Sequence, residues 1–211
     1  MRHLILLLAT LLAAPAAAQS LAFDGSWREQ GFLRLSSNNY VQRGGDLQVT
    51  SDGTVSLLWR AVPERMRGAT RASWSWSVAE GVGATDLRRK GGDDRNLALY
   101  FAWTDPQTAA RADPSRATRL LRDENTRVLV YVWGDDDARG TMQQSPYLAG
   151  MRTIVLRNAG TGQHRENVDL AADYARAFGG APGVLVGIGV SADSDDTDGR
   201  IRAALTAPDL R

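Results

Sequence analysis

The chain has 211 residues, with 25 Lys and Arg against 24 Asp and Glu, two His and no Cys. That balance excludes the basic excess of a nucleic-acid binder. The missing cysteine excludes disulfides, thiol catalysis and Cys-based metal sites.

Residues 1–20, "MRHLILLLATLLAAPAAAQS", have the layout of a secretory leader. Arg2 and His3 give the charged start, residues 4–12 the short apolar run, and Ala16, Ala17 and Ala18 the small-residue cleavage site. The run is shorter than the roughly 20 apolar residues of a membrane span. The expected product is a soluble periplasmic or secreted domain over residues 19–211, with 24 basic and 24 acidic residues.

Period-two alternation then recurs along the chain. "FLRL" (32–35) and "DLQVT" (46–50) are the weaker strand candidates. "VSLLWRAV" (55–62) sets Val55, Leu57, Trp59 and Ala61 on one face. "RASWSWSV" (71–78) alternates Ala72, Trp74, Trp76 and Val78 with Arg and Ser, so its Trp face is expected to be core. "NLALYFAW" (96–103) sets Leu97, Leu99, Phe101 and Trp103 together. These three read as half-buried antiparallel strands. "RVLVYVW" (127–133) is apolar on both faces and is expected to be a central strand. "TIVLRN" (153–158), "GVLVGIGVSA" (183–192) and "GRIRAAL" (199–205) complete the set.

Helix is scarce. "DPSRATRLLRDEN" (113–125) reads as an exposed helix or a loop. "ENVDLAADYARAFGG" (166–180) reads as one short helix, with Asn167 as N-cap, Asp169 in the first turn and Gly179 at the C-terminus. Leu170, Tyr174 and Phe178 recur every four residues and would face the core. The fold expected is all-β: a two-sheet antiparallel sandwich, jelly-roll-like, with one or two short helices.

Three Asp clusters lie at strand ends. Asp93 and Asp94 precede 96–103, Asp135, Asp136 and Asp137 follow 127–133, and Asp193, Asp195, Asp196 and Asp198 follow 183–192. If chain direction alternates, with 153–158 running back, all three share one rim with Lys90, the only lysine. Calcium is the cofactor such oxygens could hold, with Asp94, Asp193 and Asp195 as ligands. The competing reading is an acidic rim neutralised by Arg88, Arg89, Arg95, Arg139, Arg200 and Arg202. "DSDDTDG" does not fit an EF-hand loop, because Gly199 in the glycine position puts Ser194 first and Leu205 twelfth.

Catalytic motifs are few. No G-x-S-x-G elbow presents a serine, His164 is the only histidine after the leader, and no phosphate-binding loop occurs. Paired carboxylates remain, as in glycoside hydrolysis. Glu166 stands apart as the glutamate at the expected helix start.

Taken together, "RASWSWSV", "LRRKGGDDRNLALYFAW", "RVLVYVWGDDDARGTMQQSPY", "ENVDLAADYARAFGG" and "VGIGVSADSDDTDG" resemble a bacterial exported family catalogued as a domain of unknown function, number 3047. The family's W-x-W, K-x-x-D-D, Y-V-W, D-Y-x-x-x-F-G and D-x-D elements correspond to Trp74, Trp76, Lys90, Asp93, Asp94, Tyr131, Trp133, Asp173, Tyr174, Phe178, Gly179, Asp193 and Asp195. The chain departs from the pattern at Asp196, where the family commonly has Asn, and at its "APDLR" end. The resemblance implies export and a β-rich fold, and it favours a specific role for Lys90. The expected function is a non-catalytic binding module for carbohydrate or another cell-envelope component, contacting it through Lys90, Asp93, Asp94, Asp193, Asp195 and Trp133. The alternatives are an envelope polysaccharide hydrolase using a pair such as Asp94 and Asp193, and an envelope scaffold without a small ligand.

Overall fold

The computed structural model describes residues 19–31, 36–111 and 113–211. Residues 1–18 of the leader-like stretch and "FLRL" lie outside them. In chain order the strands are β1 (Gln19–Ser20), β2 (Arg28–Gly31), β3 (Asn39–Arg43), β4 (Asp46–Asp52), β5 (Val55–Ala61), β6 (Arg71–Glu80), β7 (Arg95–Thr104), β8 (Arg127–Trp133), β9 (Met142–Gln144), β10 (Met151–Arg157), β11 (Gly162–Asp169), β12 (Val184–Asp193), β13 (Arg200–Thr206) and β14 (Asp209–Leu210). The helices are α1 (Pro106–Arg111), α2 (Ala117–Leu120) and α3 (Leu170–Phe178).

The strands form two facing sheets. The first runs β1-β14-β6-β13-β4-β3, with β11 also paired to β6; the second runs β2-β5-β12-β7-β8-β10-β9. Between them lies the core that alternation predicts. Trp74, Trp76, Leu47 and Leu205 of the first sheet pack with Leu97, Phe101, Trp103, Leu129, Trp133 and Ile188 of the second. Trp74 and Trp76 are buried, as their strand pattern requires.

The second sheet is covered on its other face too. Leu57, Trp59, Ala98, Tyr100, Ala102 and Val130 meet Leu87, Ala117 and Leu120 from the connecting segments. So β5 and β7 are buried on both faces rather than half-buried. The reason lies in the 113–126 connection, which lies over the sheet and accepts the Trp59 indole N–H on the Pro114 carbonyl at 2.7 Å. Gly187 of β12 makes room for that indole, since a Cβ there would sit 1.8 Å from the ring.

Two expectations about direction are corrected. β10 runs parallel to β8 rather than back from it, with β9 antiparallel beside it. The return pass is β11, which takes up the first part of the segment expected to be helical. Helix α3 starts only at Leu170, and its N-cap is Asp169, whose side chain accepts the Ala172 N–H at 2.9 Å; Asn167 is in the strand. Gly179 ends the helix at φ +77°. Leu170, Tyr174 and Phe178 do face the core. The two errors cancel: β7 begins at the rim where β8 and β12 end, so the three Asp clusters do share one rim.

Candidate functional site

A cavity of about 390 Å³ opens on the outer face of the second sheet, at the Asp rim. Val55 and Leu57 of β5, Tyr100 of β7, Leu121, Leu148 and Met151 give it apolar walls. Its polar lining comes from Asp93, Arg95, Ser191, Asp193, Asp195, Asp196 and Tyr147.

Arg95, the first residue of β7, organises this lining. Its Nη1 lies 3.0 Å from Asp193 Oδ2 and 3.3 Å from Asp93 Oδ2. It also donates to the Asp93 carbonyl at 2.8 Å. Nη2 donates to the Tyr100 hydroxyl at 2.8 Å, which is 3.1 Å from Ser191 Oγ. Tyr147, at the mouth, donates its hydroxyl to Asp93 Oδ1 at 2.7 Å and accepts the Gly91 N–H at 3.3 Å. The Tyr147 side chain is otherwise open, with the residue 53% exposed.

Electrostatics separates the acidic groups. Burial pushes Asp193 up to about 9, although the adjacent Arg95 charge pulls it down. A hydrogen bond with Asp195 adds to the rise. Asp193 Oδ1 is buried and has no hydrogen-bond partner. Burial opposes the Arg95 charge, but Tyr100, Asp193 and Asp93 more than offset it and its pKa rises. Burial, then the bond to Asp93, pushes Tyr147 up to about 12. Asp196 rises through burial and the charges of Asp195 and Asp94.

Asp93, Asp193 and Asp195 come together in the cavity, as the sequence suggested. The other candidates do not join them. Asp94 is fully buried, and its two carboxyl oxygens accept from the Asp196 and Thr197 N–H groups and the Thr197 hydroxyl. It clamps the loop after β12 and is not among the residues that line the cavity. Trp133 lies in the inter-sheet core against Trp76 and His164, on the opposite face of the sheet from the cleft. Lys90 is exposed, its Nζ 5.6 Å from the centre of the Tyr147 ring. The cation held among the carboxylates is Arg95, which the sequence offered only as a neutralising neighbour.

One oxygen each from Asp94, Asp193 and Asp195 lies within 4.8 Å of the others, the spacing a cation would need. Asp135, Asp136 and Asp137 meet the same criterion. There the Gln143 amide donates to both Asp135 and Asp137 at 2.7 Å, and Arg88 reaches Asp137 at 3.4 Å. Glu166 is fully committed elsewhere, to Arg157 at 2.7 Å, Arg139 at 2.8 Å and the Trp76 indole at 3.1 Å. Tyr100, Tyr147 and Ser191 carried no motif. Tyr100 had one usable signal, its place on the β7 face opposite Leu97, Leu99 and Phe101.

The family model described as "Protein of unknown function (DUF3047)" matches residues 25–207. No curated relative matches the sequence. Solved structures do. Endoglucanase Cel12A from Rhodothermus marinus is 12% identical, over 92% of this chain and 96% of that one, with a TM-score of 0.50. A meso-active, thermostable cellulase derived from that Rhodothermus marinus enzyme gives the same four values. The xyloglucanase domain of NopAA, a type three effector from Sinorhizobium fredii solved with cellobiose, is 9% identical over 94% of this chain and 98% of that one, at 0.49. At such identity the first two establish a common β-jelly-roll sandwich and nothing of chemistry.

Proposed function

The chain belongs to the DUF3047 family, and we propose that it binds carbohydrate in the cleft on the outer face of its second sheet. One observation supports this most: an open cavity that pairs an exposed tyrosine ring with a polar lining of carboxyl, guanidinium and hydroxyl groups. Sugar hydroxyls both donate and accept. Carboxylates accept from them, while Arg95 and the tyrosine hydroxyls donate to them. The apolar walls and the Tyr147 ring suit the C–H faces of a pyranose. The sandwich shared with a cellulase and an endoglucanase makes β-linked glucans natural first probes. The leader-like start makes the periplasm or the exterior the proposed location, with a glycan of the cell envelope or its surroundings as ligand.

The test is titration calorimetry with hexasaccharides of β-1,4-glucan, β-1,3-glucan, β-1,4-xylan and chitin. At least one should bind, and Tyr147→Ala should weaken it about tenfold, the equivalent of losing about 1.4 kcal/mol. Absence of binding across the set, or full affinity in the variant, would defeat the assignment of this cleft.

A further inference from the structure

The charges of the cleft are unevenly matched. Arg95 is engaged by Asp93 and Asp193, at 3.3 and 3.0 Å, and by the Tyr100 hydroxyl at 2.8 Å. Asp195 and Asp196, from the loop after β12, line the same cavity. Among the described residues, no arginine or lysine forms an ion pair with either. Asp195 is partly exposed and Asp196 exposed, so both carboxylates are open to an incoming group. Beside Asp195, Asp193 is only 7% exposed, also lines the cavity, and has no hydrogen-bond partner for its Oδ1. One oxygen of Asp193 lies within 4.8 Å of one of Asp195. This corner of the cavity is rich in acceptors and short of a cation. Arg122 lines the cavity too, and Lys90 stands at its mouth over the Tyr147 ring. Neither is paired with the two acids.

We propose that the carbohydrate bound in this cleft carries a free amine, an amino sugar whose ammonium is held by Asp195 and Asp196. The proposal rests on the cleft being a carbohydrate site, and it names the class of sugar. An ammonium is a compact charge with three donors. It replaces a ring hydroxyl with little change in size. It can donate to both carboxylates and keep a third proton for a neighbouring hydroxyl. Such charge-assisted hydrogen bonds are about twice as strong as neutral ones. The apolar walls at Leu57, Leu121, Leu148 and Met151 keep the surroundings low in polarity, which strengthens the attraction further. A neutral sugar offers the two carboxylates hydroxyl donors alone. An anionic sugar meets two like charges there, against the attraction of Arg122 and Lys90. The protein as a whole adds no pull on a cation, since residues 19–211 carry 24 basic and 24 acidic side chains. The preference is therefore local to this corner.

The experiment compares β-1,4-linked hexasaccharides of glucose, glucosamine and mannuronic acid by titration calorimetry. The buffer is low in salt and just below neutrality, so that the amines are protonated. The glucosamine hexamer should bind at least about tenfold more tightly than the glucose hexamer, and the advantage should shrink at high salt. The double variant Asp195→Asn, Asp196→Asn should lose the advantage and still bind the glucose hexamer as the wild type does, which a misfolded variant could not do. Asp196→Asn alone, a change at an exposed side chain, should lose part of it. Asp46→Asn, at the start of β4 in the other sheet, should keep it in full. Equal affinity for the glucose and glucosamine hexamers overturns the amine proposal and leaves the carbohydrate site standing. Tightest binding of the mannuronic acid hexamer overturns it as well, in favour of Arg122 and Lys90 as the groups that read charge. An advantage that survives in the double variant overturns the assignment to Asp195 and Asp196. Failure of every hexasaccharide, neutral or charged, to bind overturns the carbohydrate site and the proposal with it.

Discussion

Asp193 should leave a mark on stability as well as on the cleft. Its ordinary value is 3.8, and in the folded protein burial raises it to about 9. The folded state therefore holds a proton that the unfolded chain releases. Its contribution is complete below the unfolded value and is lost as pH rises through the folded one. Thermal melts should show a falling Tm across that window, and Asp193→Asn, which cannot titrate, should flatten the decline. Equal slopes in the two proteins would refute this account. Lys90 gives the opposite expectation. Its ammonium is exposed over an aromatic ring, a contact that a guanidinium can replace. Lys90→Arg should change unfolding stability by less than about 1 kcal/mol, as measured by urea denaturation. A larger loss would mean that the site discriminates between the two cations.

At the scale of elements, α3 hangs on its first residue contact. Asp169→Ala removes the acceptor for the Ala172 N–H and should cost about 1 kcal/mol, typical of a lost N-cap. Asn167→Ala, two residues earlier and exposed in β11, should cost much less; a larger loss there would restore the cap first expected. The difference shows where sequence reading stopped. β6, β7, β8 and β12 were legible because their core positions carry Trp, Leu, Phe and Val. β11 was not, since its inward positions include His164 and Glu166. The inward Glu166 is stabilised by Arg139, Arg157 and Trp76, drawn from three other segments. A polar residue satisfied over such distances in the chain looks like a surface residue. The site divides in the same way. The strand-end Asp residues announced the rim, but Arg95 was one arginine among many, and Tyr147 enters from a loop 54 residues beyond the Asp93 it contacts.

For the whole molecule, the distribution of charge along the rim bears on metals. Asp94 is already engaged by the loop after β12 and Asp193 by Arg95, so the folded sandwich has a cation of its own at this place. Treatment with EDTA is expected to leave Tm unchanged. A fall that calcium reverses would show that an ion bound to the native state contributes to stability, and Asp94, Asp193 and Asp195 would be its first candidates.

The sheet order has a further consequence, for the timing of assembly. β12 lies between β5 and β7, and β13 lies between β4 and β6. Each sheet is therefore interrupted until the last quarter of the chain is present. A polypeptide delivered N-terminus first, as across a membrane, would hold two incomplete half-sheets until its final strands arrive. These long-range pairings favour slow folding with late closure. Such a chain has little tolerance for losing its C-terminal end.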